Sequence, residues 1–505
     1  MATSRESVDL AMDTDLEARL ESAGDDGTLA EKGEPTKKTE PAPHRPATLA
    51  PDDPENPRNW SVRKKIIVDI ILCVWVLSLT YSSTAYVASI PALVREFHSS
   101  LEVSLLGVSL TVFGLAAGPL IFGPASEVFG RRVVYLIAGL GYSAFSIGVA
   151  FAQNTGGILA LRFLVGFFGS GSINNVPASI GDFTTLQERL GYSSIYALMA
   201  FGGPSLGPLL SAFIQTEAGF RWNLRVIAIF STVTSILVAL LPETHGPTLL
   251  KWRLQRENKH DAPSMNFGRT FEVMKLSILR PVIYLFTEPV VMLVSVYLSV
   301  LYGILYGFFE AFTVVYLQIR GMSEESHGLT YISLGLGFLA SSLTLATFGQ
   351  KLYLKAAARD IARGIPIQPE ARLSLGYYGA ILCPISLFIF AWTAPFPHVH
   401  WIAPCIGEFL FSASILFIFT GFIPFLIDCY QMTAASALAA GMASRSLVGG
   451  AFPLFTLKMY HALTVQGATS LLAGVACCLA PIPFIFKLYG TRLRERSRHA
   501  VAQSS

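Results

Sequence analysis

The sequence predicts an all-α polytopic membrane protein, with twelve transmembrane helices in two six-helix bundles around a central cavity. Three observations predict it. Charged residues make up 14% of the 505 and hydrophobic residues 52%, too little polar surface for a chain of this size to cover itself in water, where about a quarter charged is usual. Apolar runs recur near 66–88, 103–124, 133–152, 158–180, 191–214, 222–241, 290–316, 328–349, 374–394, 401–427, 434–457 and 465–486. Each is close to the roughly twenty residues that a helix needs to cross the hydrocarbon core. One long hydrophilic interruption, 243–280, then divides the runs six and six.

In chain order, residues 1–60 are polar, acidic and rich in Pro, Thr, Asp and Glu. Such a composition buries too little apolar area to offset chain entropy, so a disordered cytoplasmic tail is expected. It holds no apolar core of the length a cleavable signal peptide requires, and the first span should direct insertion. The bundles are expected at 61–242 and 281–490, joined by the cytoplasmic loop 243–280 and followed by a cytoplasmic tail at 491–505. Orientation follows from the lysines and arginines, which short cytoplasmic loops retain. Arg63, Lys64 and Lys65 precede the first span, Arg131 and Arg132 follow the second, and Lys251 to Arg280 fill the central loop. Lys351 to Arg372 follow the eighth span and Arg492 to Arg498 the last, whereas the opposite loops "AQNTGG" and "APFPHVH" carry almost no cationic charge. Both termini are expected on the cytoplasmic side.

The turn after span two reads "FGPASEVFGRR". Gly123 and Gly130 permit close helix ends and positive φ, and Arg131 and Arg132 hold the turn at an anionic inner leaflet. Glu127 can pair with an arginine or face a helix N-terminus across the half interface, as a latch that breaks when the halves move. An ordinary basic turn is the plainer reading. Span four, "LRFLVGFFGSGSINNVPASIGDF", carries Arg162, costly in a membrane unless it meets a carboxylate, water or carbonyl or snorkels to the interface. Asn174 and Asn175 can line a cavity or bond neighbouring helices, and Asp182 belongs at the inner end. Span five has Gly203-Pro204 and Gly207-Pro208 in successive turns, which bend the helix and let a neighbour approach.

The turn resembles the loop signature of the major facilitator superfamily, with Ala125 and Val128 where that signature has leucine and often a basic residue. Arg162 and Gly166 stand as in the arginine motif of the same superfamily, and the Gly-Pro pairs resemble its antiporter signature. "PENPRNWSVRKK", "LPETHGPTLLKWR", span seven and "SALAAGMASRSLVGGAFPLF" are similar to the fungal twelve-span drug:proton antiporters, from about Pro54 to Tyr489. The resemblance implies the major facilitator fold, a small-molecule substrate, no cofactor, and a proton gradient as the energy source.

For the chamber, Tyr297, Tyr302 and Tyr306 of span seven offer rings and hydroxyls to an amphipathic guest. Glu310 lies near the outer end of that span, and Glu408 in the outer part of span ten. Arg445, mid-way in span eleven, should pair with a carboxylate, either as a static bridge or on an anionic part of a substrate. Proton coupling falls to Glu310, Glu408 or Asp69. The six cysteines all sit in apolar runs, which suits small core residues, and no Walker loop or histidine cluster suggests nucleotide or metal chemistry. The function expected is export of small amphipathic organic molecules, in exchange for protons, by a monomer of the plasma membrane that binds no nucleic acid. An uptake or facilitative carrier of the same fold is the alternative, with a membrane-embedded enzyme behind it.

Overall fold

Apolar runs punctuated by glycine, proline and capping residues become helices throughout the described part of the chain. The computed structural model describes residues 49–50, 53–257, 278–365, 367–430, 433–495 and 497. The spans are α1 (Val62–Phe97), α2 (Leu101–Phe129), α3 (Arg131–Phe151), α4 (Thr155–Phe183), α5 (Leu186–Ala218) and α6 (Phe220–Ala239). After them come α7 (Pro289–Ile319), α8 (Glu324–Ala362), α9 (Pro369–Thr393) and α10 (Ile402–Tyr430). The last helical stretch, Ala434–Glu495, has 62 residues, far more than one crossing needs. It breaks at Thr464, where φ 62 and ψ 167 leave the helical region, and so yields α11 (434–463) and α12 (465–495). The described residues therefore form the twelve spans that the sequence predicts.

Local chemistry fixes the helix starts. Side chains of Ser100, Asn154 and Ser323 accept first-turn amides of α2, α4 and α8, and Thr185 with Glu188 forms a capping box on α5. Gly130 (φ +92) and Gly219 (φ +81) make the left-handed turns into α3 and α6, which a side chain would strain.

Packing repeats with a period of six spans. In the first half α1 lies on α5, α2 on α4, and α3 on both α4 and α6. In the second half α7 lies on α11, α8 on α10, and α9 on both α10 and α12. The two most extensive contacts between the halves are α2 with α11 and α5 with α8. Exchanging the halves turns each of these contacts into the other, as a two-fold relation requires. Large apolar side chains such as Leu140, Ile229, Leu343, Ile381 and Leu488 stand exposed on the outside, where lipid would cover them.

The turns holding Arg131, Arg132, Arg372 and Arg494 gather at one end, called here the basic end; the other is the neutral end. Three expectations need correction there. Residues 53–60, placed in the disordered tail, are ordered: Asn56 caps a 3₁₀ turn at Pro57–Asn59, and Asp53 pairs at 2.6 Å with Arg253 of the helix Gly246–Arg256. The rest of that tail, apart from Leu49 and Ala50, lies outside the described residues. The central interruption is partly helical, at Gly246–Arg256 and Ile278–Thr287, while 258–277 lies outside the described residues. Arg494, assigned to the final tail, is buried and bonded to Glu370 and Gln368, so α12 continues through it. A further correction concerns cysteine: Cys477 and Cys478 are exposed on α12, where a helix surrounded by lipid needs no core partner on its outer face.

Candidate functional site

Where the halves meet, α7, α10 and α11 present aromatic faces to an arginine. Arg445 is half-buried, its guanidinium carbon 5.7 Å from the Tyr302 ring centre and 5.4 Å from that of Phe419. Small residues make the close approach possible: Gly449 sits against the Tyr302 ring and Gly303 against Phe452. Tyr302 in turn lies 5.0 Å from Tyr306, whose hydroxyl shares a hydrogen bond with Ser83 Oγ of α1 at 3.2 Å. Phe419 meets Phe201 of α5 at 4.8 Å, a second bridge between the halves. The expected carboxylate partner of Arg445 does not materialise. Among the described residues Arg445 forms no ion pair, and its hydrogen-bond acceptor is the Met442 sulfur.

Arg162, by contrast, is wholly satisfied without snorkelling. It is 1% exposed, donates to the backbone carbonyls of Gly107, Ser82 and Ser83 at 3.1, 2.8 and 3.1 Å, and lies 4.5 Å over the Tyr86 ring. Backbone carbonyls meet its charge where no carboxylate is near, so the residue pins α4 to α1 and α2 one residue from the Ser83–Tyr306 contact. Asn175, expected on the cavity wall, is buried: it accepts from Ser126 Oγ and donates to the Phe122 carbonyl, tying α4 to α2. Asn174 remains half-buried and makes no hydrogen bond among the described residues. Tyr297 also leaves the expected wall, because it packs edge-on against Phe422 within the second half.

The α5 signature acts through α1. Pro208 cannot donate to the Pro204 carbonyl, and Thr84 Oγ1 of α1 donates to that freed acceptor at 3.0 Å. Thr80 Oγ1 donates to Met199 O at 3.2 Å. A Cβ on Gly203 would fall 1.9 Å from Thr80 Oγ1, and one on Gly207 2.2 Å from Thr84 Oγ1. The two Gly-Pro pairs therefore seat the threonine face of α1, the helix that reaches Tyr306 across the interface.

At the basic end Arg131 pairs with Asp182 at 3.2 Å and donates to Ser126 Oγ. The backbone amides of Arg131 and Arg132 donate to Glu243 at 2.9 and 3.0 Å, so a carboxylate from beyond α6 caps the N-terminus of α3. Glu243 also accepts from Thr244 N and His245 N, both at 2.9 Å. Gly130 is required here twice over, for its φ and because a Cβ would stand 2.5 Å from Glu243 Oε2. His245 bonds Thr248, and burial, reinforced by the Arg131 charge and partly opposed by Glu243, holds its imidazole down at about 4. Arg132 and Glu127 have exposed side chains, and Glu127 makes no ion pair among the described residues. The latch expected of Glu127 is thus carried in this conformation by Asp182 and Glu243, which are held within reach by α4 and the α6 exit. Gly123 stands beside Asn174, 3.8 Å from its amide nitrogen on a notional Cβ.

The second half repeats the clamp. Arg372, at the start of α9, pairs with Asp428, at the end of α10, at 2.8 Å, matching Arg131 at the start of α3 and Asp182 at the end of α4. Arg494, at the exit of α12, holds Glu370, where Glu243 at the exit of α6 holds the start of α3. Toward the neutral end, Glu408 is fully buried and accepts from Tyr316 at 2.6 Å and from Ser333. A π-helical stretch of α7, Thr313–Ile319, carries Tyr316. Glu310 is buried in α7 and makes no hydrogen bond among the described residues. Asp69 is buried in α1 with one oxygen near Cys73 and the other unbonded.

Residues 70–481 match the family profile of the Major Facilitator Superfamily. The chain belongs to the major facilitator superfamily. Among the relatives of this facilitator, "Efflux pump FUBT" of Fusarium oxysporum is 38% identical over 92% of the chain and 79% of its own length. "Major facilitator superfamily multidrug transporter mdrA" of Aspergillus fumigatus is 34% identical over 89% of the chain and 75% of its own length. The fold is shared with the proton:xylose symporter XylE, at a TM-score of 0.63 and 15% identity, over 85% of the chain and 96% of that structure. The protein is a multi-pass membrane transporter and not an enzyme.

Of the residues predicted for the chamber, the facilitator fold brings Arg445, Tyr302 and Tyr306 together and leaves Tyr297, Asn175, Glu310 and Glu408 packed within one half. Sequence reasoning missed Ser83, Phe419 and Phe201, which carry no local signal. It missed Glu243 too, although "PETHGP" set that carboxylate against a glycine and proline turn at a helix exit.

Proposed function

We propose that this facilitator exports small amphipathic organic molecules from the cytoplasm by alternating access, in exchange for protons. The two halves, 61–242 and 281–490, act as the rocking bodies, and the chain works as a monomer in the plasma membrane. The basic end faces the cytoplasm, with both termini on that side. The observation that carries the reading is the half-buried Arg445, set against Tyr302 and Phe419 where two equivalent halves meet. Such an interface is where a midplane site can face each compartment in turn. The relatives named efflux pump and multidrug transporter over most of the chain support the outward direction. Glu408, Glu310 and Asp69 are the buried carboxyls able to exchange a proton as access alternates; Glu408 stands first because two hydroxyls hold it across α7, α8 and α10.

Expression in a host lacking its own drug exporters tests the reading. Cells bearing the protein should retain less of an amphipathic panel than control cells, and purified protein in liposomes should move the same compounds faster under an imposed pH gradient. Greater retention would assign uptake instead, and indifference to the gradient would remove proton coupling.

A further inference from the structure

The spans hold two arginines well away from their ends, and the two are met in opposite ways. Arg162 spends its donors on three backbone carbonyls. Arg445 faces two ring planes and a methionine sulfur, with no oxygen acceptor among the described residues. Three arginines of the basic end are paired, Arg131 with Asp182, Arg372 with Asp428 and Arg494 with Glu370. An embedded guanidinium without an anion is costly, and this one stands where the halves meet.

We infer that the interface around Arg445 takes organic anions: a ligand carboxylate or sulfonate on the Arg445 guanidinium, with a flat apolar body against the neighbouring aromatic rings. The inference rests on the exporter reading above and names the class of its substrate.

The groups around Arg445 favour this class on each side. The Tyr302 and Phe419 rings lie 5.7 and 5.4 Å from the guanidinium carbon and take no hydrogen bond from it, so an anion can make a charge-assisted contact with the guanidinium. Phe201, packed on Phe419 from the opposite half, extends the apolar surface on which a ring can stack. Ser299 and Ser444 share a hydrogen bond at 2.8 Å beside the arginine and bring no charge. From α5 the Tyr196 hydroxyl is engaged with Ile173 O at 2.8 Å. Of the buried carboxyls of the spans, Glu408 bonds Tyr316 and Ser333, Asp69 sits beside Cys73, and Glu310 makes neither a hydrogen bond nor an ion pair with Arg445 among the described residues. A cationic guest at Arg445 would meet a like charge, whereas an anionic guest supplies the missing acceptor.

Binding of three probes that share one ring system to the purified full-length protein, followed by calorimetry, tests the inference. 2-Naphthoate, 2-naphthalenemethanol and 2-naphthylmethylamine carry a negative, a neutral and a positive substituent on the same naphthalene ring. The naphthoate should bind about tenfold or more tightly than the alcohol, as a charge-assisted contact implies, and the amine least well. Arg445→Gln should erase the difference between acid and alcohol, and Arg445→Lys should keep part of it. Equal or weaker binding of naphthoate by the unaltered protein, no binding of it at all, or a preference that survives Arg445→Gln would each overturn the inference. The exporter reading fails separately: cells that shed neutral and cationic amphiphiles independently of Arg445 would refute only the anion assignment, whereas cells that shed nothing would refute the transport reading itself.

Discussion

A single arginine shows how a charge can be stored inside a membrane protein without a counter-ion. Arg162 replaces water by three carbonyls contributed by α1 and α2, and each charged hydrogen bond of this kind is worth about 1.5–3 kcal/mol against an unmet group. Arg162→Ala should therefore destabilise the folded protein by about 2–4 kcal/mol, seen as a lowered thermal midpoint in detergent, with Arg162→Lys recovering only part because an ammonium cannot span all three acceptors. His245 makes a second prediction at this scale. Its imidazole titrates near 6.5 when unfolded and about 4 in the folded clamp, so between those values the unfolded chain binds the proton that the folded one refuses. This contribution leaves stability unchanged above about 6.5 and lowers it as pH falls toward 4. A melting series across that window should be flatter in His245→Gln; an identical slope would show that the clamp does not exclude the proton.

At the scale of elements, α1 and α5 behave as one unit because glycine and threonine interlock. Gly207→Val would bring a side chain to within 2.2 Å of Thr84 Oγ1 and 2.8 Å of the Ala85 backbone nitrogen. Overpacking of this kind typically costs about 1–3 kcal/mol, and more where backbone must move. Monodisperse protein recovered from membranes should fall sharply in Gly207→Val. Gly202→Ala should leave it unchanged, since a Cβ there has nothing nearer than Leu198 Cδ1 at 3.9 Å. The spans themselves were legible because hydropathy acts locally: twenty apolar residues form a helix in lipid whatever their neighbours do. The Gly-Pro pairs were legible as a kink, but their partner was not, because Thr80 and Thr84 lie some 120 residues away and nothing in the α5 sequence names them. Glu127 was misread for the complementary reason. Its place beside two arginines in the turn suggested a latch, whereas the exit of α6 delivers Glu243 to the same helix end.

Over the whole molecule, the repeat of packing pairs matters more than any one contact. The clamp of Arg131 with Asp182 recurs as Arg372 with Asp428, although the two turns share little sequence, so the symmetry is preserved in charge placement rather than in residue order. Each clamp lies within its own half, so under the proposed mechanism the halves move as bodies about α2–α11 and α5–α8. The α5–α8 seam runs from Ala212 beside Gly328, through Ser205 beside Gly335, to Ser194 bonded by Ser342 at 3.0 Å. The neutral end adds the exposed pair Glu102–Lys458 at 2.7 Å, one residue from each half, which is worth little as a lock but reports separation well. The most direct test is distance measurement by paired spin labels at positions 102 and 458 for the neutral end, and at 191 and 351 for the basic end, in liposomes with and without a pH gradient. Alternating access requires two populations in which one pair lengthens as the other shortens. A single unchanging distance at both ends, or simultaneous lengthening of both pairs, would contradict it.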